Sequence, residues 1–171
     1  MILQMKKLSA LFLALVMFFS VKALAEPVIF EEYGFFITLP DGWSYEESEI
    51  TEEFIKAGVV DSIYAYAEDE SIVMWLDIYS FDEESLPATE MTVMEFEGHV
   101  NDLREYYPGI SSFTVNDVPF IYYTAADNDG EYLTAYTWTS SYKYGFVFRA
   151  KELTDEVRTI IVQIMDSYKT L

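Results

Sequence analysis

The 171-residue chain contains no cysteine. That excludes a disulfide, a thiolate nucleophile, a Cys-ligated metal and the cysteine on which a lipid anchor is built. Histidine is almost as scarce, His99 being the only one, whereas a transition-metal site ordinarily takes several nitrogen or sulfur ligands. Gly-x-Ser-x-Gly, phosphate-cradling glycine loops, dinucleotide fingerprints and kinase motifs are missing too, and nothing calls for a cofactor. Positive charge is in short supply, with 10 basic residues against 30 acidic ones and a net charge of −20. Such a surface repels nucleic-acid phosphate and anionic lipid, and it attracts cations, cationic peptides or a basic protein face.

What is present begins with an address. Lys6 and Lys7 precede an apolar run from Leu8 to Phe19, and Ala23-Leu24-Ala25 supplies small residues for cleavage. That order is the pattern of a secretory signal peptide over residues 1–25. The run is shorter than the roughly 20 residues a membrane-spanning helix needs. Residues 26–171 are then expected as one exported, soluble domain, periplasmic or extracellular, keeping 7 basic and 30 acidic residues. Half of the sequence is apolar and 18% is aromatic, enough for a substantial core.

The apolar spacing predicts the elements. Val28-Ile29-Phe30 and Phe35 to Leu39 flank Gly34 as a strand pair or bent strand, which Pro40-Asp41-Gly42 stops. Trp43 is expected to fold back over the sheet end. Ser48 to Gly58 has a short helical pattern in Ile50, Phe54 and Ile55, and Ile63–Ala67 with Ile72–Tyr79 forms a hairpin. Both faces of its second strand are largely apolar, which implies cover on both sides. Val93, Phe96, Val100, Leu103 and Tyr107 form a helical stripe from about Glu90 to Tyr107, capped by Thr89 and ended by Pro108-Gly109. Four strands follow, Ser112–Val115, Phe120–Ala125, Tyr132–Thr139 and Tyr144–Ala150, with a tight turn at Asp129-Gly130. A last helix starts after Thr154 and buries Val157, Ile160, Ile161, Ile164, Met165 and Tyr168. The economical arrangement is an α+β, three-layer α/β/α sandwich: a mainly antiparallel sheet of about six or seven strands with helices on both faces.

In this order of elements the chain resembles the PsbP-like domain superfamily. The residues that carry the resemblance are Tyr33-Gly34-Phe35-Phe36-Ile37-Thr38-Leu39-Pro40-Asp41-Gly42-Trp43, an opening strand ending in a Pro-x-x-Trp turn. The hairpin from Ile63 to Tyr79 and the closing Met165-Asp166-Ser167-Tyr168 agree with it. The resemblance covers nearly all of residues 26–171 and implies a binding or assembly protein without a shared catalytic apparatus. It assigns no partner-binding residue, and fold alone does not transfer function.

Candidate sites have ordinary explanations beside them. His99 lies between Phe96 and Val100 with Glu95 and Asp102 nearby, and no nucleophile is local to it, so it reads as a boundary histidine. Asp127-Asn128-Asp129-Gly130-Glu131 is superficially like a calcium loop. With Gly130 at the loop's sixth position, however, Ala125 and Tyr136 fall where acidic ligands belong. A hairpin turn fits better, with calcium binding as the alternative. Asp82-Glu83-Glu84 and Glu46-Glu47 read as solvated charge. Tyr132, Tyr136 and Trp138 alternate along one strand, and Tyr144, Phe146 and Phe148 along the next. Such a platform stacks on a sugar or anchors a protein, and the same pattern serves a face packed beneath a helix. Trp43 and Trp75 read as core or core rim.

No catalytic, cofactor-binding or metal residue is assigned. The expectation is an exported, non-enzymatic binding or assembly module, its partner an unknown protein or small molecule, with an aromatic patch or groove on an acidic surface. Two rivals remain: a carboxylate-dependent hydrolase acting on carbohydrate, which needs acids converging in a deep pocket, and an acidic binder of cations or cationic peptides.

Overall fold

The computed structural model describes residues 27–81 and 86–171. The leader expected over 1–25 and the run Asp82-Glu83-Glu84 lie outside the described residues.

The opening apolar runs form two short strands, β1 (Pro27–Phe30) and β2 (Phe35–Thr38). A 3-10 turn at Glu31–Tyr33 joins them, closed by Gly34 at φ 74, a left-handed conformation that costs glycine nothing. There follow β3 (Trp43–Glu47), α1 (Glu52–Lys56), β4 (Val59–Ala67), β5 (Ile72–Ser80), α2 (Val93–Arg104) and β6 (Ser111–Val115). The chain continues through β7 (Val118–Asp127), β8 (Gly130–Trp138), β9 (Tyr142–Ala150), α3 (Asp155–Asp166) and β10 (Lys169–Thr170). A seven-stranded sheet runs β3-β4-β5-β9-β8-β7-β6, and a separate three-stranded sheet runs β1-β2-β10. Every pairing is antiparallel.

The α+β class and mainly antiparallel sheet therefore hold, and the opening strands differ from expectation. They do not extend the large sheet. β2 pairs with β1 on one edge and with β10, from the far end of the chain, on the other, and this small sheet packs against the large one. One face of the large sheet buries Ile63, Ala65, Met74, Leu76, Ile78, Phe120, Phe146 and Phe148. Against it pack Phe35 and Ile37 of β2 together with Ile161, Ile164 and Met165 of α3 and the adjoining Tyr168. The Phe35 ring stacks on Phe30 at 4.7 Å between centroids and on Tyr168 at 5.2 Å, and meets Tyr144 at 4.8 Å. Burying aromatic and aliphatic side chains of this size contributes about 1.5–3 kcal/mol each, so this face is the main source of stability.

A second cluster joins Phe96 and Val100 of α2 to Ile121, Trp138 and Ile110. Ile121 and Trp138 alternate with Phe120 and Thr137, so strand parity sets them on the opposite face of the sheet. Trp138 is fixed there by its indole N–H, which donates to the Leu86 carbonyl at 3.0 Å.

Both main helices begin at threonine caps. The Thr154 hydroxyl accepts from the Val157 N–H at the start of α3, with Asp155 and Glu156 in the first turn. That is the expected boundary. At α2 the cap is Thr92, three residues later than the expected Thr89. The Thr92 hydroxyl accepts from the Glu95 N–H while the Glu95 carboxylate accepts from the Thr92 N–H at 2.8 Å, a reciprocal box. These bonds to Thr92 also lower the Glu95 pKa. The shorter helix leaves the ends of the expected stripe in solvent, Val93 at 82% and Tyr107 at 62% exposure. In α1 no residue is buried, so Phe54 and Ile55 do not form the apolar face expected of them. Trp43 heads β3, paired with Ala67 and packed against the main core.

Asp127 and Gly130 close the β7–β8 hairpin around Asn128 and Asp129, one residue earlier than expected. The Asp127 carboxylate accepts the Asp129 N–H at 2.7 Å, an Asx turn, and that bond leads the lowering of its pKa.

Candidate functional site

The aromatic rows picked out in the sequence separate onto opposite faces. Thr137 pairs with Tyr144 and Trp138 with Lys143, so Tyr144, Phe146 and Phe148 point into the main core while Tyr132, Tyr136 and Trp138 point away from it. Trp138 lies under α2, and Tyr136 is half-buried beside it at 6.4 Å between ring centroids. The rest of that face, beyond α2, is where side chains meet solvent.

There, between the C-terminal end of α2 and strands β5, β7, β8 and β9, runs a groove of about 680 Å³. Its walls are Tyr79, Tyr106, Tyr107, Tyr123 and Tyr136, with Lys143 beside them. The floor is opened by Gly145: a Cβ there would lie 3.3 Å from the Tyr79 ring, so a larger residue would press on that ring where it lies over β9. Tyr79 reaches this position because it shares the strand face of Asp77 and Trp75. Its hydroxyl donates to the Asp77 carboxylate at 3.3 Å, and the same carboxylate accepts from Ser62 at 2.7 Å. Burial, then the charge of Asp77, pushes the Tyr79 phenol up to about 12. Burial also raises Tyr136, with smaller contributions from the phenols of Tyr123 and Tyr107. The Lys143 ammonium sits 4.5 Å from the Tyr136 ring centroid and 5.7 Å from that of Tyr79, a cation–π geometry. Of the described residues lining this groove, none is Asp or Glu.

The same face continues as a second aromatic strip. Tyr64 packs on Trp75 at 5.3 Å and on Tyr66 at 5.4 Å, and the Arg149 guanidinium covers Trp75 at 5.1 Å. Trp75 is thus half-buried on an open face. Sequence reading marked Tyr132 and Tyr136 but not Tyr79, Tyr107 or Tyr123 as one site. The available signal was parity: Tyr79 alternates with Trp75, and Tyr123 with Ile121, so each follows the half of its strand that leaves the core.

The other candidates sit elsewhere. His99 is exposed on α2, its ring 5.4 Å from that of Trp138. Glu46 and Glu47 lie exposed on the edge strand β3. An open cleft of about 220 Å³ is bordered by Glu31, Glu32, Glu47 and Asp61 around Tyr33. Burial raises the Tyr33 phenol to about 12, with Asp61 and Glu32 adding to it. Among the described residues no group of three or more His, Asp or Glu side chains is placed to hold a metal ion. Among them, too, no helix is long and apolar enough to cross a membrane.

No family model matches the sequence, and no curated protein matches it. Solved structures do. The fold is similar to the solution structure of cyanobacterial PsbP from Synechocystis sp. PCC 6803, with a TM-score of 0.55 at 12% identity, covering 89% of this chain and 96% of that one. It is equally similar, at a TM-score of 0.55 and 11% identity, to a protein from Bacteroides thetaiotaomicron VPI-5482. That match covers 86% of this chain and 49% of the other, so the chain spans about half of that protein's length. At such identities the likeness is one of fold, and the resemblance expected from the sequence holds at that level.

Proposed function

We propose, from the PsbP-like fold and the tyrosine-lined groove, that this chain is an exported, non-enzymatic binding or assembly module whose ligand or partner seats in that groove. The observation that carries the reading is the groove itself. Five tyrosines, from strands β5, β7 and β8 and the loop after α2, line one open depression in a chain with three acids for every base. Tyrosine presents a flat apolar body with a polar tip, which suits surfaces that bind and release. Export rests on the leader pattern of residues 1–25. The packing of Phe96 and Val100 against Ile121 and Trp138 supports reading α2 as a partial third layer, which leaves the groove at its margin.

The reading is tested by installing the photo-crosslinking residue p-benzoylphenylalanine at Tyr107, and separately at the exposed Ile55 on α1, in the source cells. A defined adduct at position 107 and none at position 55 is the expected result. Equal adduct patterns at the two positions would overturn it.

A further inference from the structure

Resting on the groove reading above, we infer that the ligand is an uncharged oligosaccharide, its sugar rings stacked on the tyrosine faces. Charge selects this class first. The chain carries a net charge of −20, which holds polyanions off at long range. Cationic ligands are drawn to the acidic surface, yet they meet no carboxylate among the described lining residues, since Asp77 lies beneath Tyr79 and is engaged by Ser62 and Tyr79. Among its described lining residues the groove turns phenols, a threonine and one lysine toward its occupant, interspersed with the apolar Leu103, Pro108, Ile110 and Val147, a lining complementary to a neutral ligand with both polar and apolar faces.

The lining chemistry narrows it further. Tyr107, Tyr123 and Tyr136 reach the groove from the loop after α2, from β7 and from β8, and Thr134, two residues before Tyr136 on the same strand face, adds a fourth hydroxyl. Each hydroxyl both donates and accepts, as sugar hydroxyls do. The aromatic faces match the apolar C–H face of a pyranose. An extended peptide is less well served. The floor strands β8 and β9 are paired on both edges, β8 with β7 and β9, β9 with β5 and β8, so no free backbone edge is available for strand addition. The groove volume of about 680 Å³ falls within the range of roughly 300–1,000 Å³ typical of ligand sites and holds a few sugar rings.

The test titrates the full chain with cellohexaose, xylohexaose and chitohexaose at up to millimolar concentration, using calorimetry and NMR shifts of the tyrosine rings. At least one of the three is expected to bind and to move the Tyr123 and Tyr136 resonances. Tyr107→Ala, a change at an exposed position that leaves folding intact, weakens that binding by about tenfold, while Ile55→Ala leaves it unchanged. Absence of binding by all three sugars overturns the oligosaccharide assignment. A proline-rich peptide that moves the same ring resonances when no sugar does would overturn it while leaving the groove reading standing. A sugar that binds equally well to the Tyr107→Ala protein, with Tyr123 and Tyr136 unmoved, would sink both.

Discussion

Replacing Gly130 by alanine adds a methyl group where the β8–β9 ladder leaves no room. Gly130 adopts φ 143, which L-residues rarely take up, and a Cβ there would lie 3.1 Å from the Ala150 carbonyl carbon and well inside contact with its oxygen. The conformational part costs about 1–3 kcal/mol. The clash is with backbone, so relief means prising the start of β8 from the end of β9, where Glu131 pairs with Ala150. That also disturbs the Glu131 carboxylate, which accepts the Leu153 N–H at 2.6 Å. Each of those bonds contributes about 1 kcal/mol. The expected loss is about 3–5 kcal/mol, a large share of the 5–15 kcal/mol typical of a domain, and it lowers the melting midpoint by about 10 °C. Two other glycines separate the causes. Gly34 has positive φ, but nothing lies within 4 Å of an added Cβ. Gly34→Ala therefore carries only the left-handed penalty, about 1 kcal/mol. At Gly109 neither constraint applies, and Gly109→Ala is close to neutral. Urea unfolding followed by circular dichroism gives all three values. A Gly130→Ala protein within about 1 kcal/mol of the parent, or one no worse than Gly34→Ala, would refute the packing argument.

Two further outcomes follow from buried oxygens. The Thr137 hydroxyl is buried without a hydrogen-bond partner among the described residues. Thr137→Val keeps the shape and removes the unpaired group, so it raises stability by about 1 kcal/mol in the same unfolding assay; a loss of similar size would mean that the hydroxyl is satisfied. The tyrosines set an alkaline limit. Tyr33 and Tyr79 are raised to about 12 in the folded chain, against about 10 when unfolded. Unfolding therefore releases protons in that window. The stability is fully present below pH 10 and is lost as pH rises from about 10 toward 12. Absorbance titration of phenolate shows these groups ionising late, and a native chain titrating as one population near pH 10 would contradict their burial.

Much of the fold was legible because burial repeats along the chain. The alternation of Met74, Leu76 and Ile78, and the stripe Ile161, Ile164 and Met165, each report one face turned to one neighbour. Alternation does not say which sheet a strand joins, however. Phe35 and Ile37 would look the same in either, and only the distant Lys169–Thr170 decides it. Strand β3, Trp43-Ser44-Tyr45-Glu46-Glu47, lies at an edge and is mostly exposed, so it carries no apolar rhythm to detect. The start of α2 was readable as Thr92-x-x-Glu95, a capping-box spacing outweighed by the acidic residue after Thr89. The groove was least legible. Its tyrosines come from three strands and the loop after α2, far apart in sequence, and their meeting depends on the register between β5, β9 and β8.

The small sheet also sets an order of events for the growing polypeptide. Thr38 and Ser167, whose mutual hydrogen bonds tie β2 to the end of α3, stand 129 residues apart. Loop closure over such a distance is slow and comes late. As synthesis proceeds, Phe35 and Ile37 of β2 can cover only part of the main sheet, and the part that Ile161, Ile164, Met165 and Tyr168 cover stays open until α3 forms. Phe120 and Phe146, whose ring centroids lie 5.3 and 6.1 Å from that of Tyr168, are thus closed over late.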